Sequence, residues 1–334
     1  MTLRQSFKYR NVWMGLAMLW VIWFHLPIDV SNDFIRSMKN IGYGGVDIFL
    51  FASGLGCYYS LDRDENCLIF LKKRGQRLLP TYWIFLIFWV IYRKIFVFIN
   101  WQSILGNVFC VADFAGVAIS FNWYLSAVWL LYFLAPAFKK LVEETNSIKK
   151  CIGITIILVL ISVCFWDNAN LIIISRIPIF FIGMFFAKTA KKDVVVDKKF
   201  FALMAAMTIV GVVILRIFIR YRYDDLWNKG YWWYPFILIT PGACILVSVL
   251  MNVLKNSNIG QATQKGLGWI GEYSFELFLI HIWFFEIHNM LISKAMIPDK
   301  DVYWAITCLL IIPGCLVLDY LRKLFWLIVK RVSK

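Results

Sequence analysis

The chain has 334 residues, 61% of them hydrophobic and 18% aromatic, with a mean hydropathy of +0.71. Soluble domains are only about half apolar, so this composition excludes a soluble enzyme or binding module and predicts a polytopic membrane protein. The net charge of +15 would suggest nucleic acid in a soluble chain, but the basic residues cluster in short stretches between apolar runs, so no nucleic-acid partner is expected.

Runs of about 17 to 25 apolar residues match a hydrocarbon core of roughly 30 Å. Ten spans are predicted, over 12–29, 44–60, 80–99, 122–138, 151–167, 171–188, 200–219, 231–251, 273–292 and 302–321. They give an all-α transmembrane helix bundle, a single domain over 1–334 with no fused soluble domain. The first span follows Arg4, Lys8 and Arg10 as a signal peptide would, but no small-x-small cleavage site follows it, so it reads as a retained anchor. Of the 35 Lys and Arg, 24 fall in alternate segments on the N-terminal side and 10 on the other, which predicts both termini in the cytoplasm. The connections over 94–121 and 220–230 are the longest on the outer side, and read as re-entrant or lid segments.

Along that order, the chemistry-bearing residues come early. His25 stands near the end of the first span, where an imidazole could act as general base on a hydroxyl. The second span opens on Gly44 and carries Asp47, a carboxylate costing about 2.5 to 3.5 kcal/mol at bilayer depth, so it should face a protein cavity. A hairpin between the two spans would place Asp47 near His25, to orient the ring or stabilise its charged form; the alternative is a buried histidine bonded to a backbone carbonyl. The basic stretch over 72–77 puts Arg74 and Arg77 on one helical face at the inner mouth, suited to the phosphates of a nucleotide-like donor or to lipid headgroups. Pro80 marks the start of the third span.

Further on, Asn122 and Trp123 open the fourth span and could line a sugar site, while Trp232, Trp233 and Tyr234 read as interfacial belt residues. Arg176 lies inside the sixth span and needs a partner, which Asp47, an anionic substrate group or the outer interface could supply. Arg216, Arg220 and Arg222 could meet an anionic sugar or lipid, or form a solvated rim. In the ninth span, His281 and His288 share a face but stand about 10 Å apart by rise, too far for one metal ion, so no metal is expected. The eight cysteines hold no CxxC spacing, which argues the same way.

Five stretches in order carry a resemblance. The first is WMGLAMLWVIWFH over 13–25, and the second is GVDIFLFASG over 45–54. Arg74, Arg77, Leu78, Pro80 and Tyr82 form an RxxRLxPxY stretch. Trp123, Tyr124 and Leu125 precede Tyr132 and Pro136, and SFELFLIH covers 274–281. Together they resemble acyltransferase family 3, polytopic membrane acyltransferases, many of which O-acetylate bacterial surface polysaccharides. The resemblance implies a multi-pass enzyme of a bacterial plasma membrane and acetyl-CoA as cytoplasmic acyl donor. Its acceptor would be a hydroxyl of a surface polysaccharide or lipid-linked sugar, with polysaccharide-assembly proteins as partners. It implies His25 as the catalytic base with Asp47 in support, and Arg74 and Arg77 on the donor phosphates. The family often has an arginine where this chain has Met14; Arg10, one turn earlier, is the nearest replacement. A transporter or flippase for a saccharide is the rival reading, in which the same buried charges line a translocation path. A catalytically dead scaffold is another. Ser53, in the second span, is given no role as nucleophile.

Overall fold

Pro27 decides where the first long helix stops. A residue before proline is pushed out of the helical region, and Leu26 accordingly has φ −73° and ψ 117°, so α1 (Arg10–His25) ends on His25 itself, four residues before the predicted limit. The computed structural model describes residues 1–117, 123–166, 168–221 and 229–332. Among the described residues there are helices and no strands, apart from one isolated bridge between Thr2 and Val195.

Beyond α1 the chain forms α2 (Asp33–Asn40), α3 (Gly45–Arg63), α4 (Cys67–Phe96), α5 (Trp101–Val108), α6 (Trp123–Glu144) and α7 (Ile148–Val163). It continues with α8 (Ile177–Ala190), α9 (Lys198–Tyr221), α10 (Phe236–Leu254), α11 (Asn258–Glu272), α12 (Ser274–Ser293) and α13 (Asp301–Val332). Nine of the ten predicted spans each correspond to one long helix; the sixth is a short helix, Leu171–Ile174, followed after a break at Ser175 and Arg176 by α8. Eight helical stretches are long and apolar enough to cross a membrane. The other two, α1 and α7, have 16 residues each, about 24 Å at 1.5 Å per residue.

Pro80 does not open a helix. It lies inside α4, a single helix of 30 residues that starts on the Asn66 cap, whose side chain accepts from the backbone N–H groups of Leu68 and Ile69. The basic face of 72–77 is therefore rigidly continuous with the apolar helix above it. Two helices have no predicted counterpart. α2 starts on Asn32, which caps Ile35 N–H at 3.1 Å, and it buries none of its residues. α11 starts on the Ser257 cap, and its polar and apolar residues alternate too often for a membrane span.

Between α4 and α6, the chain folds back on the end of α4. Tyr82 donates to Asn107 Oδ1 at 3.2 Å, and Trp83 Nε1 donates to the Val108 carbonyl at 3.0 Å. Trp101 and Phe109 remain about 70% exposed on this segment. Residues 222–228, most of the other predicted lid segment, lie outside the described residues.

Glycines let the central helices approach at backbone distance. A Cβ on Gly54 of α3 would stand 2.2 Å from the Phe180 carbonyl oxygen of α8, and one on Gly183 of α8 would stand 2.3 Å from the Phe51 oxygen of α3. The same reciprocity joins α1 to α11, through Gly15 against Leu267 and Gly271 against Asn11. A Cβ on Gly45 of α3 would stand 2.6 Å from the Ala17 carbonyl oxygen of α1, so α3 and α1 lie side by side, each held by a second helix.

Candidate active site

His25 and His281 meet at the end of α1. In an α-helix each side chain leans toward the N-terminus, over the preceding turn, and both imidazoles do so. His25 Nδ1 lies 3.0 Å from the Val21 carbonyl, and His281 Nδ1 lies 3.0 Å from the Leu277 carbonyl. The two rings are joined by a 3.3 Å contact between His281 Nε2 and His25 Nδ1.

This arrangement selects the tautomers. A carbonyl can only accept, so Nδ1 of His281 carries its proton and Nε2 presents a lone pair. His25 Nδ1 then faces two acceptors, the Val21 oxygen and His281 Nε2, and must itself be protonated. In the neutral pair the His25 Nε2 lone pair is left for an external proton. His281 is fully buried while His25 is exposed, so the pair has one reachable basic nitrogen.

Asp47 is elsewhere. It is buried on α3, and its Oδ1 lies 3.8 Å from Nε of Arg176, which is also buried. The Arg176 guanidinium sits between the rings of Trp123 and Trp233, 4.9 Å from each, and donates from Nη1 to the Ile172 carbonyl at 3.0 Å. Among the described residues, no hydrogen bond joins Asp47 to His25; the hairpin gives them neighbouring helices but different facing sides. The ring partner of His25 is another histidine, 256 residues away. Trp123 is thus a wall of the Arg176 site. Asn122 lies outside the described residues.

At the opposite end of α1, a cavity of about 330 Å³ opens among α1, α3, α4, α6, α12 and α13, with Arg10, Arg74, Arg77 and Arg322 on its walls. A second cavity of about 370 Å³ shares Arg10, Arg74 and Arg77 and adds Arg63 and Lys73. Arg74 is fixed by donating from Nη2 to the Gly56 carbonyl at 2.7 Å, with its guanidinium carbon 5.2 Å from the Phe70 ring centre and 5.5 Å from that of Tyr132. A Cβ on Gly56 would lie 3.9 Å from both Arg10 Nη2 and Arg74 Nη1, so the two guanidiniums crowd one point. Among the described residues, no carboxylate lies within ion-pair distance of Arg10, Arg74 or Arg77. Arg10 Nε is buried with no partner. Like charges gathered with no described carboxylate in ion-pair contact, though Glu272 and Glu276 line the same cavity, suit a ligand carrying several negative charges.

Arg10 and Met14 both line the first cavity, so Arg10 reaches the same space one turn below Met14. Arg322, on the far wall of the cavity, belongs to no motif in the sequence. Arg322 of α13 lies 3.7 Å from Glu276 and also pairs with Asp319, and Arg322 and Glu276 face the cavity. Arg322 reads in the sequence as one more charge after the last span; only the length of α13 brings it back over the mouth. His288, paired with His281 in the sequence pattern, instead contacts the Thr307 hydroxyl at 2.6 Å and stacks on Trp304.

A family model described as an acyltransferase domain matches residues 10–320, from Arg10 at the cavity to the last helix. The chain belongs to acyltransferase family 3. No curated protein and no solved structure matches it. This family-3 chain is therefore a multi-pass membrane acyltransferase.

Proposed function

We propose that the protein transfers an acetyl group from coenzyme A, bound at the cytoplasmic face of a bacterial plasma membrane, to a saccharide hydroxyl presented at the opposite face. The saccharide is a surface polysaccharide or a lipid-linked sugar, handled together with polysaccharide-assembly proteins. The observation that carries the reading is the cluster of Arg10, Arg74 and Arg77, with no carboxylate partner among the described residues, on a cavity that leads toward the histidine pair. The cluster supplies positive charge for the donor phosphates, while Arg322 on the facing wall is paired with Glu276 and Asp319. The excess of Lys and Arg at the end holding both termini supports the assignment of that end to the cytoplasm.

In this reading His25 Nε2 takes the proton of the acceptor hydroxyl as its oxygen attacks the thioester carbon. The C–O bond forms, the C–S bond breaks, and the proton passes from Nε2 to the departing thiolate. Charge appearing on His25 is shared through Nδ1–H with His281 Nε2, whose own Nδ1–H rests on the Leu277 carbonyl. A site within the bundle keeps water from the thioester. The buried Asp47–Arg176 pair has a different task, pinning α3 to the segment before α8; breaking such a pair typically costs about 3 to 5 kcal/mol.

The test is mass spectrometry of surface glycans from cells carrying the intact chain, a deletion, or His25→Ala. An acetyl increment present only with the intact chain is the expected result. A general base contributes about 10²- to 10⁴-fold, so the Ala form should retain no detectable increment. Identical masses in all three would remove the acyltransfer reading for surface glycans and favour transport of a saccharide.

A further inference from the structure

The first cavity stops short of the histidines at one side chain. Phe278 lines it, only 6% exposed, and stands one helical turn before His281 on α12. Its ring centre is 4.9 Å from that of Tyr124, which also lines the cavity, and 5.8 Å from that of His281. The order from the basic end is therefore guanidiniums, cavity, Phe278, His281, His25.

We infer that Phe278 sets the size of the acyl group this enzyme transfers. The inference rests on the proposed donor site and on His25 as base. A donor whose phosphates lie among Arg10, Arg74 and Arg77 sends its acyl end up the cavity, so that end reaches Phe278 first. For transfer, the thioester carbon must come within about 3 to 3.5 Å of the attacking oxygen, and that oxygen must itself lie within about 3.2 Å of His25 Nε2. Phe278 stands between the cavity and His281, which in turn touches His25, so the acyl end must get past the Phe278 ring before those distances can be met.

The ring's direction follows from the helix. α12 runs away from the basic end, so its side chains lean back toward the cavity, and Phe278 has two favoured χ1 positions, near 180° and near −60°. A change between them moves the ring across the head of the cavity without moving backbone. The volume opened is that of one aromatic side chain, enough for a short acyl group. Tyr124 bounds the other side of the ring, so a longer chain has no neighbouring space to take.

The experiment uses the full-length protein in detergent-permeabilised membranes that contain the cell's own glycans. Radiolabelled acetyl-, butyryl- and hexanoyl-CoA are supplied to the wild type, Phe278→Leu and Phe278→Ala, and label in the glycan fraction gives kcat/KM for each donor. Discrimination per methylene is roughly 10- to 200-fold in an apolar pocket, so the wild type should favour acetyl over butyryl by at least about tenfold. Phe278→Ala should reduce or reverse that ratio, with Phe278→Leu between them. An unchanged ratio in an active variant overturns the inference. If the Ala form is not recovered folded, the ratio for the Leu form decides in the same way. A wild type that transfers label from none of the three thioesters overturns the acyl-CoA reading, and the inference with it.

Discussion

A ring nitrogen that faces two lone pairs has no choice of protonation, and His25 Nδ1 is in that position between Val21 and His281. The Val21 carbonyl holds the proton on Nδ1 even without His281, so the two acceptors differ in role: the carbonyl fixes the tautomer, and in the proposed mechanism the second imidazole steadies charge arriving at His25. His281→Leu should therefore lower kcat by about tenfold, the worth of one hydrogen bond of about 1 kcal/mol or slightly more, while leaving the donor KM unchanged. His281→Gln, whose amide oxygen can accept, should recover part of that loss. The chain has three histidines, so nitrogen NMR of histidine-labelled protein can check the geometry directly, with His25 showing a protonated Nδ1 and a bare Nε2 in all three forms. Here the sequence reading was partial. His25 and the 274–281 stretch are visible as separate motifs, but nothing local says that residues 256 apart touch. The same limit applies to Arg176, which is legible as a charge inside a span in need of a partner, with Asp47 as one option among three.

Among the helices, close approach is decided by glycine. Gly54→Val would put side-chain carbon into the Phe180 carbonyl, where even a Cβ would stand at 2.2 Å. Nothing flexible can give way there, so thermal stability and membrane yield should fall sharply. Gly153 of α7 is the control, because a Cβ there meets nothing within 4 Å. Gly153→Ala should raise stability by about 0.5 to 1 kcal/mol, the helical cost of glycine relative to alanine. Both are read from thermal unfolding in the same detergent. The number and order of long helices were legible because each is an apolar run bounded by charges. α2 and α11 were not, since helices lying against a bundle or along a surface need only one apolar face. The early end of α1 was available in principle from Pro27, yet the apolar residues Leu26 and Ile28 beyond His25 masked it.

Across the whole molecule, charge is sorted along the helix axes, with guanidiniums gathered at one end of the cavity and a neutral imidazole pair beyond the other. A polyanionic donor should then stabilise the protein by binding only the folded form. Coenzyme A at 100 times its Kd would add about 2.7 kcal/mol, seen as a higher unfolding temperature. The gain should shrink as salt rises, because charge attraction at the open mouth is screened over about 8 Å at physiological ionic strength. In Arg74→Gln/Arg77→Gln it should be largely lost. An equal gain in that double variant would place the donor elsewhere.

The shortness of α1 carries a last consequence. A helix of about 24 Å facing a hydrocarbon core of about 30 Å is mismatched by about 6 Å, and lipid beside such a helix accommodates by thinning. In the proposed orientation, with Arg10 set at the inner boundary, His25 would lie at the floor of a dimple in the acceptor-side leaflet. A hydrated polymer could then touch the base by settling into that depression, keeping its own water and never entering the oil.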